Sequence, residues 1–353
     1  MYMSPRMRRL STYLDAHETC LRQRGINRFT VETAELRGNG WAFRARERFE
    51  AAHPAQTDVT PETFRHSGWA SDRKRVQKAL QVSQTAPSTQ GRFAECGRRA
   101  WVVRERGGNR RFRVIGNYCR SRWCVPCMRA RSAAIADALQ AHLTGERHRF
   151  ITLTIRSNTE PLALLLEKLT DAFRRLQRSN LWRQTVKGGI GFLEVKRFPE
   201  RRRWHPHLHL IVHGSYVPQR ALARLWQQIT GDSYIVDVRA VKQVREAVQY
   251  VTKYATKTVD QATVREHDAL VEAIDALKGK RSMMTFGDWR RIKLRRTQEP
   301  DDYEPVCNLG TLLEHCRRGE SWALHVWSNL SRRDDATETP RHSSRASPAS
   351  VLD

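Results

Sequence analysis

Residues 204–213 read WHPHLHLIVH, four histidines in ten positions. In an extended strand successive side chains point to opposite faces. His205, His207 and His209 then share one face, while Leu208, Leu210 and Val212 line the other. The leucine face needs helices to bury it. The histidine face must be wet, paired or metallated, because clustered imidazoles removed from water carry a desolvation cost. The stretch therefore specifies a sheet with one greasy side and one chemically active side.

The segments around it supply both. FITLTI (150–155), GIGFLEVK (189–196) and YIVDVRAV (234–241) are β-branched and apolar, as strands are. Residues 158–182, 218–231 and 244–259 carry apolar residues at helical spacing. The predicted order from 150 to 259 is β-α-β-β-α-β-α. Two strands in succession without a helix between them predict an α+β fold: an antiparallel or mixed sheet with helices on one face.

Upstream, 74–83 predicts a short helix, SQTAPSTQG (83–91) reads as a linker, and the alternation around Gly107-Gly108-Asn109 predicts a β-hairpin. Downstream, 264–278 predicts a helix, and the polar segment 331–353 predicts disorder. The division expected is a poorly defined basic region (1–90), a cysteine-bearing subdomain (91–135), a histidine-strand domain (148–262), a basic extension (263–330) and the tail (331–353).

The chain has 63 Lys+Arg against 37 Asp+Glu, a formal charge of +26 in 353 residues. Self-repulsion on that scale is usually offset by a polyanion, and nucleic acid is the expected partner. No apolar run approaches the ~18 residues of a membrane span, and MYMSPRMRRL lacks the apolar stretch of a secretory signal. Seven cysteines, an odd number with four clustered, suit a reducing compartment better than a disulfide framework, so a cytoplasmic protein is expected.

Cys119, Cys124 and Cys127 stand in YCRSRWCVPC, and the hairpin returns Cys96 towards them. Four thiolates satisfy tetrahedral Zn²⁺ and leave no open position, so the expected site is structural. A redox Cys-x-x-Cys or unpaired buried thiols are the alternatives. Cys20, Cys307 and Cys316 read as small apolar fillers.

Two imidazoles two residues apart on a strand can reach one cation, and a third ligand normally comes from a neighbouring strand. Glu194 is the candidate if hairpin register puts it on the histidine face; His205 substitutes if it does not. Such a mixed set with open positions suits catalytic Mg²⁺ or Mn²⁺, with Zn²⁺ as the alternative. The alternating histidines also match histidine-triad nucleotide hydrolases, although Pro206 fits that pattern poorly.

In AVQYVTKYATK, Tyr250 and Tyr254 are four apart and stack on one helical face beside an apolar stripe of Val244, Val248, Val251 and Ala255. Lys253 and Lys257 accompany them. A phenol with pKa near ~10 needs a cation to become a nucleophile at neutral pH. The plainer alternative is packing tyrosines with a solvated lysine face.

ITLT, then HPHLHLIV, then YVTKY resemble, in that order, the three motifs of the HUH endonucleases, the rolling-circle replication initiators. The likeness is greatest to plasmid initiators with a cysteine cluster before the first motif, and it covers about 96 to 260. It implies a palm-like, ferredoxin-like sheet in which His207 and His209 bind the cation. Tyr254, assisted by Lys253, would attack single-stranded origin DNA, leaving a 5′-phosphotyrosine and a free 3′-OH. Hairpin or duplex origin DNA and a host helicase, polymerase and single-strand-binding protein are the partners implied.

Some plasmid initiators have a glutamate four residues before the tyrosine, where this chain has Tyr250. Paired tyrosines resemble the gene A proteins of small single-stranded-DNA phages and rolling-circle transposases, so two alternating nucleophiles are expected, with Glu246 a candidate base if only one operates. A two-tyrosine transposase and a non-catalytic zinc-containing DNA-binding protein are the competing functions. Trp182, Trp204 and Trp226 are candidates to stack on bases, with Trp226 more readily placed in the core.

Overall fold

The computed structural model describes residues 60–106, 111–140, 142–143, 147–256, 259–292 and 303–334. Cys20, Lys257, the hairpin turn at 107–109, residues 1–59 and the tail from 335 lie outside them. Two compact units emerge. One gathers Arg65–Cys96 with Tyr118–Gln298; the other gathers Gly97–Asn117 with the chain after residue 298. The path thus enters and leaves the second unit inside the 91–135 segment that the cysteine spacing marks out.

The first unit is built on a five-stranded sheet in the order β6-β3-β5-β4-β7, every neighbouring pair antiparallel. Its strands are β3 (His148–Thr154), β4 (Val186–Phe198), β5 (Arg203–Gly214), β6 (Val236–Ala240) and β7 (Met283–Gly287). The histidine strand, β5, is central. It pairs with β3 on one side and β4 on the other, so groups from both neighbours can converge on it. The α+β antiparallel architecture is the one expected.

Alternation along β5 sorts the two faces. Leu208, Leu210 and Val212 pack into a core with α4 (Leu162–Arg178) and α6 (Gln219–Thr230). In α4 the residues Leu162, Leu165, Leu166, Leu169, Ala172, Phe173 and Leu176 are buried, a stripe at three- and four-residue spacing that explains why the segment is helical. At ~1.5–3 kcal/mol per buried large side chain, that stripe outweighs the helix's many arginines. The opposite face is also covered, in part. Ile190, Phe192, Phe150 and Ile211 pack with α3 (Val125–Gln140) and α7 (Val244–Thr256). Helices therefore flank the histidines as well as the leucines.

Several boundaries differ from expectation. The supposed linker at 83–91 contains the start of a helix, α2 (Pro87–Ala94), because Pro87 occupies its first turn and Phe93 is buried beneath it. Another helix, α1 (Ala70–Val82), precedes it. The predicted helix 158–182 stops at Arg178, where Ser179 caps a new helix, α5 (Asn180–Thr185), by accepting a hydrogen bond from the Trp182 amide. The predicted helix 264–278 is broken at Glu266 into α8 (Gln261–Arg265) and α9 (His267–Ala276).

The base-stacking reading fails for Trp182 and Trp204, and Trp226 lies in the core as expected. Trp226 is 0% exposed, Trp204 2% and Trp182 4%. Trp226 donates to the Thr154 carbonyl and Trp204 to Glu272, so even their polar ends are committed inward.

The second unit has a three-stranded antiparallel sheet, β2 (Phe112–Gly116), β1 (Ala100–Glu105) and β8 (Tyr303–Asn308), with β1 in the middle. Ala100, Val102 and Phe112 pack against α10 (Leu309–Arg317) and α11 (Ser321–Asp334). Cys316 is a buried apolar filler there, and Cys307 is half-buried on β8.

Candidate active site and cysteine centre

The strand register decides which face Glu194 occupies. On β4, Glu194 pairs directly with His207 of β5, and residues directly opposite in an antiparallel pair project to the same face. Glu194 therefore joins the histidines: its Oε2 lies 2.9 Å from His209 Nε2. His205 sits at the outer end, its ring 4.2 Å from that of His207 and tilted against Phe198.

Two threonines of β3 complete the cluster. Thr152 pairs with His209 and Thr154 with His207. Each hydroxyl lies 3.2 Å from the Nδ1 of its histidine. In the sequence these residues look like strand filler; the signal was a Thr-x-Thr alternation that could lie opposite His-x-His. Holding Nδ1 fixes each ring and leaves its Nε2 for another partner, the usual way in which outer partners orient metal-binding imidazoles.

The Nε2 of His207 is buried and has no hydrogen-bond partner. A buried polar atom without a partner is costly and uncommon. With a buried carboxylate and a second Nε2 beside it, the donor set suits a divalent cation bound by nitrogen and oxygen. His207, His209 and Glu194 offer the donor types for such an ion, but the His207 and His209 rings stand 5.8 Å apart, and among the described residues only the four cysteines bring their ligand atoms within 4.8 Å of one another.

Electrostatics agree with that preparation. Burial, reinforced by His205, His209 and Lys196, pushes the His207 imidazole down to about 3. Burial also lowers His209, against the opposing pull of Glu194. Burial alone would raise Glu194, but the hydrogen bond and charge of His209, with Lys196 and His207, hold it below the usual carboxylate range. Neutral imidazoles beside an ionised carboxylate are what a cation needs.

A pH effect follows for protein held in a chelator. The unfolded His207 side chain takes up its proton near the ordinary value of 6.5, whereas the folded one resists it down to about 3. The stability this histidine contributes is complete above pH 6.5 and is lost as pH falls towards 3. The slope reaches about 1.4 kcal/mol per pH unit. Urea midpoints measured at pH 7.5 and 5.5 are expected to drop accordingly, and to drop less in His207→Gln.

The tyrosines come from α7. The Tyr254 ring lies flat on His209, centroids 3.6 Å apart and planes 22° apart. Lys253 Nζ lies 5.0 Å from the Tyr254 ring centroid. Tyr250 lies deeper: its ring stacks on Phe150 at 4.2 Å, and its hydroxyl is 3.2 Å from His209 Nδ1. Burial raises the Tyr250 phenol above its ordinary value. Glu246 accepts a hydrogen bond from the Lys242 amide at the start of the same helix. So Tyr254, Tyr250, Lys253, His207, His209 and Glu194 are gathered in one place, with His205 at the margin.

The four cysteines form a second centre. The sulfurs of Cys96, Cys119, Cys124 and Cys127 all lie within 4.8 Å of one another. Three separations are 3.7 to 3.8 Å. Zn–S bonds of about 2.3 Å in a tetrahedron require S···S edges of roughly 3.8 Å, so these residues fit zinc. The amides of Cys119 and Ser121 point at Cys96 and Cys119 sulfurs, and Arg65 donates to Cys127. Such donors suit thiolates. Arg65 also lies 3.5 Å over the Tyr118 ring, a support no spacing rule could have revealed.

No helix among the described residues is long and apolar enough to cross a membrane. A replication protein family matches residues 111–332. A Protein rep of Lactiplantibacillus plantarum is 28% identical over 239 residues, covering 56% of this chain and 74% of that protein. A Protein rep of Bacillus amyloliquefaciens is 26% identical over 203 residues, 48% of this chain and 60% of the other. One from Staphylococcus aureus is 26% identical over 163 residues, 41% and 71% respectively. No solved structure matches the chain. The matched span takes in three of the four clustered cysteines, the histidine strand and the tyrosine helix, and the chain belongs to the replication protein (Rep) family, as the order of its motifs implied.

Proposed function

We propose that this chain initiates rolling-circle replication of a plasmid by nicking one strand of its origin and carrying the 5′ end as a phosphotyrosine. The observation that supports this best is the placement of Tyr254, flat against His209 at 3.6 Å beside the His207–Glu194 cluster.

In the reaction, Tyr254 Oη attacks the phosphorus of one phosphodiester, and the bond from phosphorus to the 3′ oxygen breaks. The phenol proton is lost and the departing 3′ oxygen gains one, so no external co-reactant is consumed. The ester energy is kept for rejoining. A divalent cation, Mg²⁺ or Mn²⁺, held by His207, His209 and Glu194 would polarise a phosphate oxygen and favour the attack. Lys253 adds positive charge beside the phenol. The freed 3′-OH serves a host polymerase, with a helicase and single-strand-binding protein acting on the displaced strand in the cytoplasm.

Tyr250 receives a different role. Its hydroxyl is hydrogen-bonded to His209 and its ring is packed on Phe150. Reaching a phosphate would require it to leave the core. We assign it to holding His209, with Tyr254 as the single attacking group. Tyr250→Phe is then expected to keep forming adduct while requiring about tenfold more Mn²⁺ for half-maximal yield, the scale on which outer partners of metal ligands act. A Tyr250 adduct found by mass spectrometry would instead support alternating nucleophiles.

The decisive experiment uses single-stranded oligonucleotides tiled across the chain's own replicon. With Mn²⁺, a 3′-labelled strand should become covalently attached to protein on a denaturing gel. The matching 5′-labelled fragment should be extendable by a polymerase. Binding without adduct on every strand would support the non-catalytic binder. Cleavage of free nucleotides without adduct would support the histidine-triad reading.

A further inference from the structure

At the edge of the sheet, where β7 has no outer neighbour among the described residues, a cleft of about 500 Å³ opens between α4, α5 and the adjoining ends of β4 and β7. Arg174, Arg178, Arg183, Lys187 and Arg290 line it, all exposed, and no acidic residue among the described ones does. Some other cations of this unit are matched: Lys168 pairs with Asp232, Arg197 with Glu266 and Arg239 with Asp237. The nearest acidic group in sequence, Asp288, is bonded to His213. Five like charges around one concavity repel one another, and an anion relieves that repulsion.

The backbone is shaped for the cleft. Gly287 has φ +61°, and a Cβ there would meet the Lys187 carbonyl at 2.0 Å. Only glycine lets β7 close down on the start of β4 at this point.

We infer that this cleft grips the phosphate backbone of a double-stranded arm of the DNA, next to the strand being cut; the inference rests on the nicking function proposed above. The character of the lining selects duplex over single strand. The aromatic residues in the lining, Trp182 and Phe286, are both 4% exposed and offer no face to a base. Single-strand sites usually combine charge with stacking platforms, whereas paired DNA, its bases already stacked, is held through phosphates.

Val186, Trp182 and Phe286 of the lining pack in the core on the leucine face of the sheet, whereas Glu194, eight residues along the same strand, lies on the histidine face. The interval along the strand is about 26 Å at ~3.3 Å per residue, and the gripped arm reaches the cut strand around the edge of the sheet. The same edge is basic at its other end, where Arg122, Arg131, Lys280 and Arg281 line a smaller cleft of about 380 Å³.

The test compares two probes on the full chain: a hairpin with a single-stranded extension, and the extension alone. In Arg178→Ala/Arg183→Ala/Arg290→Ala, hairpin affinity is expected to fall tenfold or more at 0.1 M salt. The slope of log K against log salt should lessen by about 2 to 3, close to 0.9 for each phosphate no longer neutralised. The corresponding triple lysine variant should recover most of the affinity. Unchanged hairpin affinity and slope would overturn the inference. So would an equal loss on the extension alone, which would make the cleft a single-strand site. Failure of the wild-type protein to form adduct on the extension would count against the nicking function instead, and leaves the hairpin comparison readable.

Discussion

Phenylalanine at position 254 is expected to remove the covalent protein–DNA adduct altogether, a loss of roughly 10⁴-fold or more in nicking rate, the scale on which loss of a covalent nucleophile acts. The substitution deletes one oxygen and keeps the ring, so stacking on His209 at 3.6 Å is preserved. Binding of single-stranded DNA and of Mn²⁺ should therefore change little. That combination separates a nucleophile from a packing residue. If Tyr254 only supported the histidine strand, Tyr254→Phe would nick normally and Tyr254→Ala would lose stability. The readout is adduct yield on a 3′-labelled oligonucleotide, beside a filter-binding isotherm for the same strand. Adduct persisting in Tyr254→Phe and vanishing in Tyr250→Phe would move the attack to Tyr250 and overturn the assignment of both residues.

The unequal positions of the two tyrosines illustrate what a sequence can reveal about this fold. Helical spacing is enough to put Tyr250 and Tyr254 on one face, because four residues is close to a turn. It does not say that the inner one stacks on Phe150 while the outer one covers His209. That distinction depends on the angle at which α7 crosses β5, a tertiary quantity. Likewise the alternation in WHPHLHLIVH is sufficient by itself to put the imidazoles on one face. The partnership of Glu194 with His207 needs the β4–β5 register, which two-residue alternation leaves open by whole steps. Thr152 and Thr154 escape notice because threonine is common in strands for reasons of shape alone.

Trp182 and Trp204 mislead for a related reason. A basic chain with aromatic residues invites a base-stacking reading, but burial is decided by packing around each ring. Trp182, for example, is enclosed by Phe173 and Phe286. The proline and small residues at 83–91 suggest a linker where a helix begins. Proline is as much at home in the first turn of a helix as in a loop, and the buried Phe93 decides between them.

Removing the metal from the cysteine centre is expected to have the largest effect on stability. The chain should hold one zinc per molecule, released in proportion to thiol modification, and Cys124→Ser should hold substantially less. The sulfurs are embedded in a core with Trp69, Val76, Leu80, Phe93, Leu270 and Ile274. Stripping the ion would leave thiols or thiolates buried among those side chains. Binding of structural zinc is worth ~10–16 kcal/mol in small peptides, and even a third of that would be several kcal/mol in a domain whose total stability is of order 5–15 kcal/mol. A strong chelator should therefore lower the midpoint of thermal unfolding well beyond the effect of Cys316→Ser. That residue is buried in the second unit's core and is not one of the four clustered sulfurs. Arg65 bears on the same balance. Four thiolates around Zn²⁺ carry a net charge of −2, and Arg65 donates into them at 3.3 Å, so Arg65→Met should weaken zinc retention without touching a ligand. Added Mn²⁺ would not restore stability, because manganese prefers oxygen and imidazole to sulfur. A metal-free protein that melts at the same temperature, or a Cys124→Ser variant with a full zinc complement, would show that these sulfurs cluster for packing alone.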